Sequence, residues 1–326
     1  VSAVRLEDYD QKVVLPHEGT RAEWVADRVK LMTAAQSNYS PLLSIFRDDL
    51  RSSVGNIVRA IAGGEPTAVF SPPDMPRLRL WRVSDPGTID VLQSALKDAD
   101  IFIADGHHRY EAALRYRGSV RAEREVDHNE SINFRIMLLV SFDEPGLITR
   151  GYHRLVESAT DEEFAEIVGS IEKTCDLEDW TPSEGLSTAE QIEEFSVALG
   201  EREDNEVTFG LYSKEPGKFH IARMKSPHPA ENAIENSEYS HLHSHILGPA
   251  IAKEREESVI SPHHDAALIA GQIESGAARM AFIMRPVPLD EFVSIVTRGW
   301  RLPPKATNFY PKPPAGAVIQ EFGDQL

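Results

Sequence analysis

The residues best placed to do chemistry are Asp105-Gly106-His107-His108-Arg109-Tyr110-Glu111, directly after the apolar run Ile101-Phe102-Ile103-Ala104. The pattern predicts a short strand, a glycine turn, and two histidines with an arginine at the mouth of a helix. A helix start presents unpaired N–H groups and the positive end of the peptide dipole, so it attracts anions. Gly106, His107, His108 and Arg109 together therefore suggest a phosphate or carboxylate pocket. Asp105, at the strand tip, is placed to hold a metal or orient a histidine. Capping and surface roles would explain one histidine, but Gly-His-His-Arg after an apolar strand favours function.

Other groups are weaker signals. His17-Glu18 closes a strand beside Pro16, and a carboxylate at such a tip is a candidate general base. Gly151-Tyr152-His153-Arg154 is a second His-Arg pair. Lys305 and Lys312 lie with Phe309 and Tyr310 on a stiff segment, Arg301 to Pro314, that carries five prolines. That segment suits a strap delivering Lys305 to a phosphate, and equally an arm packing on a neighbouring domain. His241, His243 and His245 fall in a predicted helix, where only His241 and His245 share a face; structural roles suit them. His263-His264-Asp265 reads as a cap for the helix that follows. Loops of the type Gly-x-x-x-x-Gly-Lys-Ser/Thr, Gly-x-Gly-x-x-Gly, His-Glu-x-x-His and Gly-x-Ser-x-Gly do not occur, which removes the common nucleotide-loop, dinucleotide, zinc-protease and α/β-hydrolase readings.

The elements that must position these residues alternate in type. Strands are predicted at Val13–Leu15, Leu42–Phe46, Ile101–Ala104 and Phe134–Phe142, with a pair at Thr67–Phe70 and Leu78–Val83. Helices are predicted at Ala22–Ala35, where Val25, Val29 and Met32 share a face, at Val54–Ala62, from Pro86 to Asp98, and from His107 to Arg117. On the last of these, Tyr110, Ala113, Leu114 and Arg117 face inward, and Glu111 and Arg115 are spaced for an ion pair. From Asp161 to Phe195 the chain is acidic and helical, with caps at Thr160-Asp161 and Ser187-Thr188. A hairpin follows, Val207–Tyr212 and Phe219–Met224, around Lys214-Glu215-Pro216-Gly217. Helices are expected at Glu238–Ile251 and Ala266–Ser275, with strand or mixed segments at Ala281–Met284 and Phe292–Thr297. The fold class is α+β.

The chain has 326 residues, long for a single core. We expect a core over 1–145, an acidic α+β insert over 146–230, and a C-terminal helical region over 231–326 whose Lys/Pro-rich tail returns to the core. A net charge of −18 argues against nucleic-acid and anionic-membrane partners while leaving room for one local basic pocket. The lone Cys175 excludes an internal disulfide. No apolar run has the length of a membrane span and no signal peptide is visible, so a cytoplasmic location is expected. The opening Val1-Ser2-Ala3-Val4-Arg5-Leu6, without an initiator Met, reads as the interior of a longer protein.

The stretch Ile103-Ala104-Asp105-Gly106-His107-His108-Arg109-Tyr110-Glu111-Ala112-Ala113-Leu114 resembles the signature of a large prokaryotic family known only as a domain of unknown function. Val14-Leu15-Pro16-His17-Glu18-Gly19-Thr20, Tyr152-His153-Arg154, Leu302-Pro303-Pro304-Lys305-Ala306-Thr307 and Phe309-Tyr310-Pro311-Lys312 extend the likeness in order along the chain. The Pro-His-Glu and Asp-Gly-His-His-Arg pair also resembles the free serine kinases, which share a fold with ParB and sulfiredoxin-like proteins and phosphorylate free L-serine from a nucleotide. That resemblance implies Glu18 as the base, and Asp105, His107, His108 and Arg109 as the holders of the nucleotide phosphates. The lysine-bearing tail belongs to the larger family, not to the small kinases. Two departures stand out. An N-terminal Pro-Pro-Tyr-Asp stretch is missing, and the tail has Leu302 and Ala306 where the family usually has Met and Ser.

These readings converge on a nucleotide-dependent phosphotransferase for a small hydroxyl compound such as a free amino acid. Glu18 and Asp105 would be catalytic, Gly106, His107, His108, Arg109 and Lys305 would bind phosphate, and His17, His153, Arg154 and Lys312 are additional candidates. The expected ligands are ATP or ADP, with Mg²⁺ at Asp105. The alternatives are a non-catalytic nucleotide-binding switch or scaffold, and a metal-dependent hydrolase using the scattered histidines.

Overall fold

A computed structural model describes residues 1–47, 53–72, 76–202, 206–214, 219–225, 237–303 and 305–323. The chain forms two compact units, one from Val1–Leu147 with Pro311–Leu326, the other from Ile148–Tyr310.

The first unit runs β1 (Ser2–Arg5), β2 (Val14–Pro16), α1 (Ala22–Ala35), β3 (Ser37–Asn38), β4 (Leu42–Phe46), α2 (Ser53–Ala62), β5 (Ala68–Phe70), β6 (Leu78–Leu80), α3 (Pro86–Leu96), β7 (Ile101–Asp105), α4 (His107–Glu123) and β8 (Phe134–Ser141). Its main sheet has the order β1-β8-β4-β7-β2. The pairs β4–β8 and β2–β7 are parallel, whereas β1–β8 and β4–β7 are antiparallel. Helices α1 and α4 pack on one face of the sheet. There Val25 and Met32 of α1 and Tyr110, Ala113 and Tyr116 of α4 cluster with Leu42, Ile101, Ile103 and Met137. Side chains alternate across a strand, so Phe102 points the other way and packs against Phe142.

The register of β4 against β7 shifts between Leu43 and Ser44, which pair with Asp105 and Ile103. The extra residue is Ala104. This bulge sits where β7 ends and re-aims the chain at Asp105, a common use of a bulge beside a functional residue.

The second unit comprises β9 (Ile148–Arg150), β10 (His153–Val156), α5 (Asp161–Thr174), β11 (Cys175–Trp180), α6 (Thr188–Gly200), β12 (Thr208–Ser213), β13 (Phe219–Met224), α7 (Glu238–Leu242), α8 (Gly248–Ala250), α9 (Glu256–Val259), β14 (Ile260–His263), α10 (Ala266–Ser275), β15 (Met280–Ile283), α11 (Leu289–Thr297) and β16 (Asn308–Tyr310). Its six-stranded sheet, β11-β13-β12-β15-β10-β14, is antiparallel throughout. Helices α6 and α10 cover it through Ile192, Phe195, Leu199, Ile269 and Ile273. The expected caps form: Thr160 with Glu163 and Ser187 with Glu190 make capping boxes, and Asp265 caps α10. The chain then returns to the first unit, where β17 (Gln320–Glu321) pairs with β3 and Phe322 stacks on Tyr116.

Three expectations need correction. The acidic stretch from Asp161 to Phe195 is broken by β11, because Cys175 to Trp180 finds a partner strand in β13. Phe292–Thr297 is helical, since Phe292, Ile295 and Val296 lie on one buried face at helical spacing. Between Glu238 and Ala250 the helix passes through a π turn, His243–Leu247, which keeps His241 and His245 stacked at 5.5 Å. Residues 215–218 of the expected hairpin turn, 73–75 of the turn between β5 and β6, and 304 of the tail lie outside the described residues.

Gly210 of β12 admits α6 closely: a Cβ there would meet Phe195 at 2.4 Å and Leu199 at 2.8 Å. Gly210→Ala should therefore destabilise the protein by about 1–3 kcal/mol through overpacking. Chemical denaturation of the purified variant checks this.

Candidate functional site

The site is built where β7 runs into α4. Gly106 is the N-cap of α4, with φ at 111°, in the left-handed region that favours glycine. Its missing side chain also leaves room for Arg109. A Cβ on Gly106 would lie 2.9–3.0 Å from the Arg109 guanidinium, which folds back across the turn. Arg109 Nη2 donates to Asp105 Oδ2 at 2.6 Å, and Nη1 donates to the carbonyl oxygen of Pro41 at 2.7 Å and to Ser40. The other Asp105 oxygen, Oδ1, lies 2.9 Å from Lys312 Nζ. One carboxylate thus bridges two cations, one from α4 and one from the returning C-terminal segment. Burial pulls the Arg109 pKa down, and Asp105 opposes that shift.

The two histidines hold the loop between β2 and α1. The backbone N–H of His17 donates to His107 Nε2 at 3.2 Å, and that of Arg21 donates to His108 Nε2 at 3.0 Å. A ring nitrogen that accepts carries no hydrogen, so both rings bear their proton on Nδ1. His17 is buried and its Nδ1 bonds the carbonyl oxygen of Ile103 at 2.7 Å. A carbonyl only accepts, so His17 carries a proton on Nδ1.

Between them stands Glu18. Its Oε1 lies 3.9 Å from His17 Nε2 and its Oε2 lies 3.9 Å from His107 Nδ1, with the side chain one-fifth exposed. Atoms of His17, Glu18 and His107 lie within 4.8 Å of one another, close enough for a metal ion. The tautomers oppose that use: His107 would have to move its proton to Nε2, opposite the N–H of His17. Trp24 flanks the site, its ring 5.0 Å from His108 with the Arg21 guanidinium over it.

The structure therefore brings Glu18, His17, Asp105, Gly106, His107, His108, Arg109 and Lys312 together in the first unit. It adds Ser40, Pro41 and Arg135, which the sequence does not single out. Arg135, on β8, donates from Nη2 to the Ser40 carbonyl oxygen at 2.7 Å. An arginine inside an otherwise apolar strand was the available signal.

His153, Arg154 and Lys305 belong to the second unit. His153 is buried and its Nδ1 accepts from the N–H of Met284 at 3.1 Å. Burial and nearby cations push its pKa down to about 3. Arg154 is buried over the Tyr239 ring and donates to the carbonyl oxygens of Tyr152 and Lys305. The Lys305 ammonium lies 5.4 Å from the centre of the Tyr152 ring.

A family described as a protein of unknown function (DUF1015) matches residues 1–245, and the chain belongs to it. No curated protein matches. Similar solved structures include a free serine kinase in complex with AMP, at 12% identity and a TM-score of 0.44, covering 96% of this chain and 90% of that one. A conserved hypothetical protein from Pyrococcus furiosus is 13% identical with a TM-score of 0.41, covering 97% and 95%. SbnI with C-terminal truncation from Staphylococcus aureus is 8% identical with a TM-score of 0.42, covering 95% and 82%. Among the described residues no helix is long and apolar enough to cross a membrane.

Two outcomes follow from the geometry. Gly106→Ala should displace the Arg109 guanidinium and strain the turn, costing about 1–3 kcal/mol, as read by thermal unfolding. His153 is neutral when folded but takes up a proton near pH 6.5 when unfolded, so its contribution is complete above that pH and is lost as pH falls toward 3. His153→Gln keeps an acceptor without titrating. Its melting temperature should fall less than that of the parent between pH 7 and pH 4.

Proposed function

We propose that this chain is a nucleotide-dependent phosphotransferase acting on a small hydroxyl compound such as free L-serine, built on a ParB/sulfiredoxin-like core. One observation carries the reading. The Glu18 carboxylate stands 3.9 Å from two imidazoles whose tautomers are set by backbone bonds, and one of these imidazoles opens the helix that bears Arg109. Through His107, a carboxylate from the β2 loop thus reaches the start of the helix that carries the cationic anion site. The motif resemblance to free serine kinases assigns the same two parts the same two roles.

In this reading Glu18 takes the proton of the acceptor hydroxyl as its oxygen forms the new P–O bond. The bridging P–O bond to the nucleotide breaks, and ATP or ADP leaves one phosphate shorter. General-base help of this kind typically contributes about 10²–10⁴-fold. His107 and His108 keep Nδ1–H donors after giving Nε2 to the loop. With Arg109 and Lys312 they offset the charge of the transferring group, and phosphoryl transfer depends chiefly on such positioning and neutralisation.

Mg²⁺ does not fit at Asp105, because each carboxylate oxygen already meets a cation, at 2.6 Å and 2.9 Å. Nor does it suit the two-imidazole environment of Glu18, since it prefers oxygen ligands. Asp105 instead fixes Arg109 and Lys312.

The test incubates purified protein with ATP or ADP, Mg²⁺ and a pool of amino acids and polyols, and seeks phosphorylated products by mass spectrometry. A product is expected, and Glu18→Gln should lower its rate at least 100-fold while nucleotide binding persists. Nucleotide binding without any product would overturn the kinase reading in favour of a nucleotide-binding switch.

A further inference from the structure

One large aromatic beside the site has no part in the chemistry proposed above. Trp24, in the first turn of α1, is 47% exposed. Leaving so much of an indole in water forgoes burial that would favour folding. The next residue, Val25, is 0% exposed and fixes the rotation of α1. Trp24 therefore stands at the rim of the packed face.

The start of α1 is fastened to the start of α4, because the Arg21 N–H donates to His108 Nε2 at 3.0 Å. The Trp24 ring lies 5.0 Å from the His108 ring, tilted by 48°, and the Arg21 guanidinium lies 5.4 Å from the Trp24 ring centre. Arg28 follows one turn later on the same face of α1. Its charge lowers the Arg109 pKa, so that face runs along the Arg109 turn. The loop leading to α1 is open to solvent: a Cβ on Gly19, next to Glu18, would meet nothing within 4 Å. The helix positions nearest Trp24 are Asp27 and Arg28, with Arg21 before it, and all are charged. An apolar docking face would have apolar neighbours there. A nucleobase instead takes a ring to stack on and a planar cation beside it.

We propose that Trp24 is the base-stacking residue of the nucleotide site, holding a purine at the start of α1 while the α4 turn holds the phosphates. The inference rests on the phosphotransferase reading for its ligand class and deepens it, in naming the residue that meets the base and the class of base preferred. Stacking grows with the ring area overlapped, so a two-ring purine gains more than a one-ring pyrimidine. A stacking contact reads no base edge, so adenine and guanine serve alike.

The probes are ADP, GDP, CDP and inorganic pyrophosphate, which has the two phosphates and no base. In titration calorimetry the full chain should bind ADP and GDP alike and CDP more weakly; equal affinity for CDP overturns the purine preference. Trp24→Ala should weaken ADP binding at least about tenfold and leave pyrophosphate binding unchanged, because only the base contact is lost. Trp24→Phe should retain most of the ADP affinity. Equal loss of ADP and pyrophosphate affinity in Trp24→Ala would mean that the indole merely props His108, and unchanged ADP affinity would mean that the base lies elsewhere. Either result overturns the proposal. Should Trp24→Ala fail to fold, Trp24→Phe decides by fluorescence. ADP, but not pyrophosphate, should quench the tryptophan emission of the parent, and Trp24→Phe, which keeps the other tryptophans, should lose that quench while still binding. A quench that survives the substitution sinks the idea. The two readings fail separately. Trp24-dependent ADP binding without any phosphorylated product removes the kinase and keeps the stacking residue. Phosphorylated product from a Trp24→Ala variant that binds ADP like the parent removes only the stacking residue, and no binding of ADP at all removes both.

Discussion

The arrangement depends on one side chain doubling back: Arg109 over Gly106 onto Asp105. Because Gly106 has no Cβ, the guanidinium crosses the turn and ties the end of β7 to the segment before β4. Asp105, Ser40 and Pro41 thereby become one structure with the start of α4. The chain segment that carries these acceptors is itself held by the C-terminal return. Gly316 and Phe322 donate to the carbonyl oxygens of Tyr39 and Gln36, and the Asn38 and Gln320 side chains bond. Lys312 arrives at Asp105 by that same route. The site is thus assembled from three parts of the chain far apart in sequence, and an arginine cross-link connects them.

A second constraint is the division of labour within each imidazole. His107 and His108 accept backbone hydrogens from the loop after β2, and that fixes which nitrogen keeps a proton. The loop in turn carries Glu18 into contact with His17 and His107. Through Nε2, His107 and His108 are therefore fastened to that loop. The Asp-Gly-His-His-Arg turn and the Pro-His-Glu turn, far apart in sequence, thus share hydrogen bonds.

The second unit follows a different logic. Its antiparallel sheet carries an aromatic cluster, with Trp180, Phe195 and Tyr212 each in ring contact with Phe219. There the histidine of the Tyr-His-Arg motif is buried and neutral, and its arginine holds carbonyl oxygens of the same unit. A His-Arg pair in a sequence does not distinguish a binding group from a strand residue that fastens a neighbouring backbone.

Local patterns in the sequence determined much of the local structure. The helix of Val25 and Met32, the strand-turn-helix around Gly106, the capping boxes at Thr160 and Ser187, and the Glu111–Arg115 pair all follow from neighbours a few residues apart. Local pattern did not give the pairing of β2 with β7, although the family resemblance had joined Glu18 to the Asp105–Arg109 turn; that pairing puts Glu18 beside His107. Nor were the tautomers, the engagement of both Asp105 oxygens, or the convergence of Arg135 with Arg109 on Ser40. The physical reason is range. Propensity, capping and hydrophobic period act over one or two turns of chain. Burial and long-range charge exist only once distant strands have paired, and these decide which of the polar residues become a site.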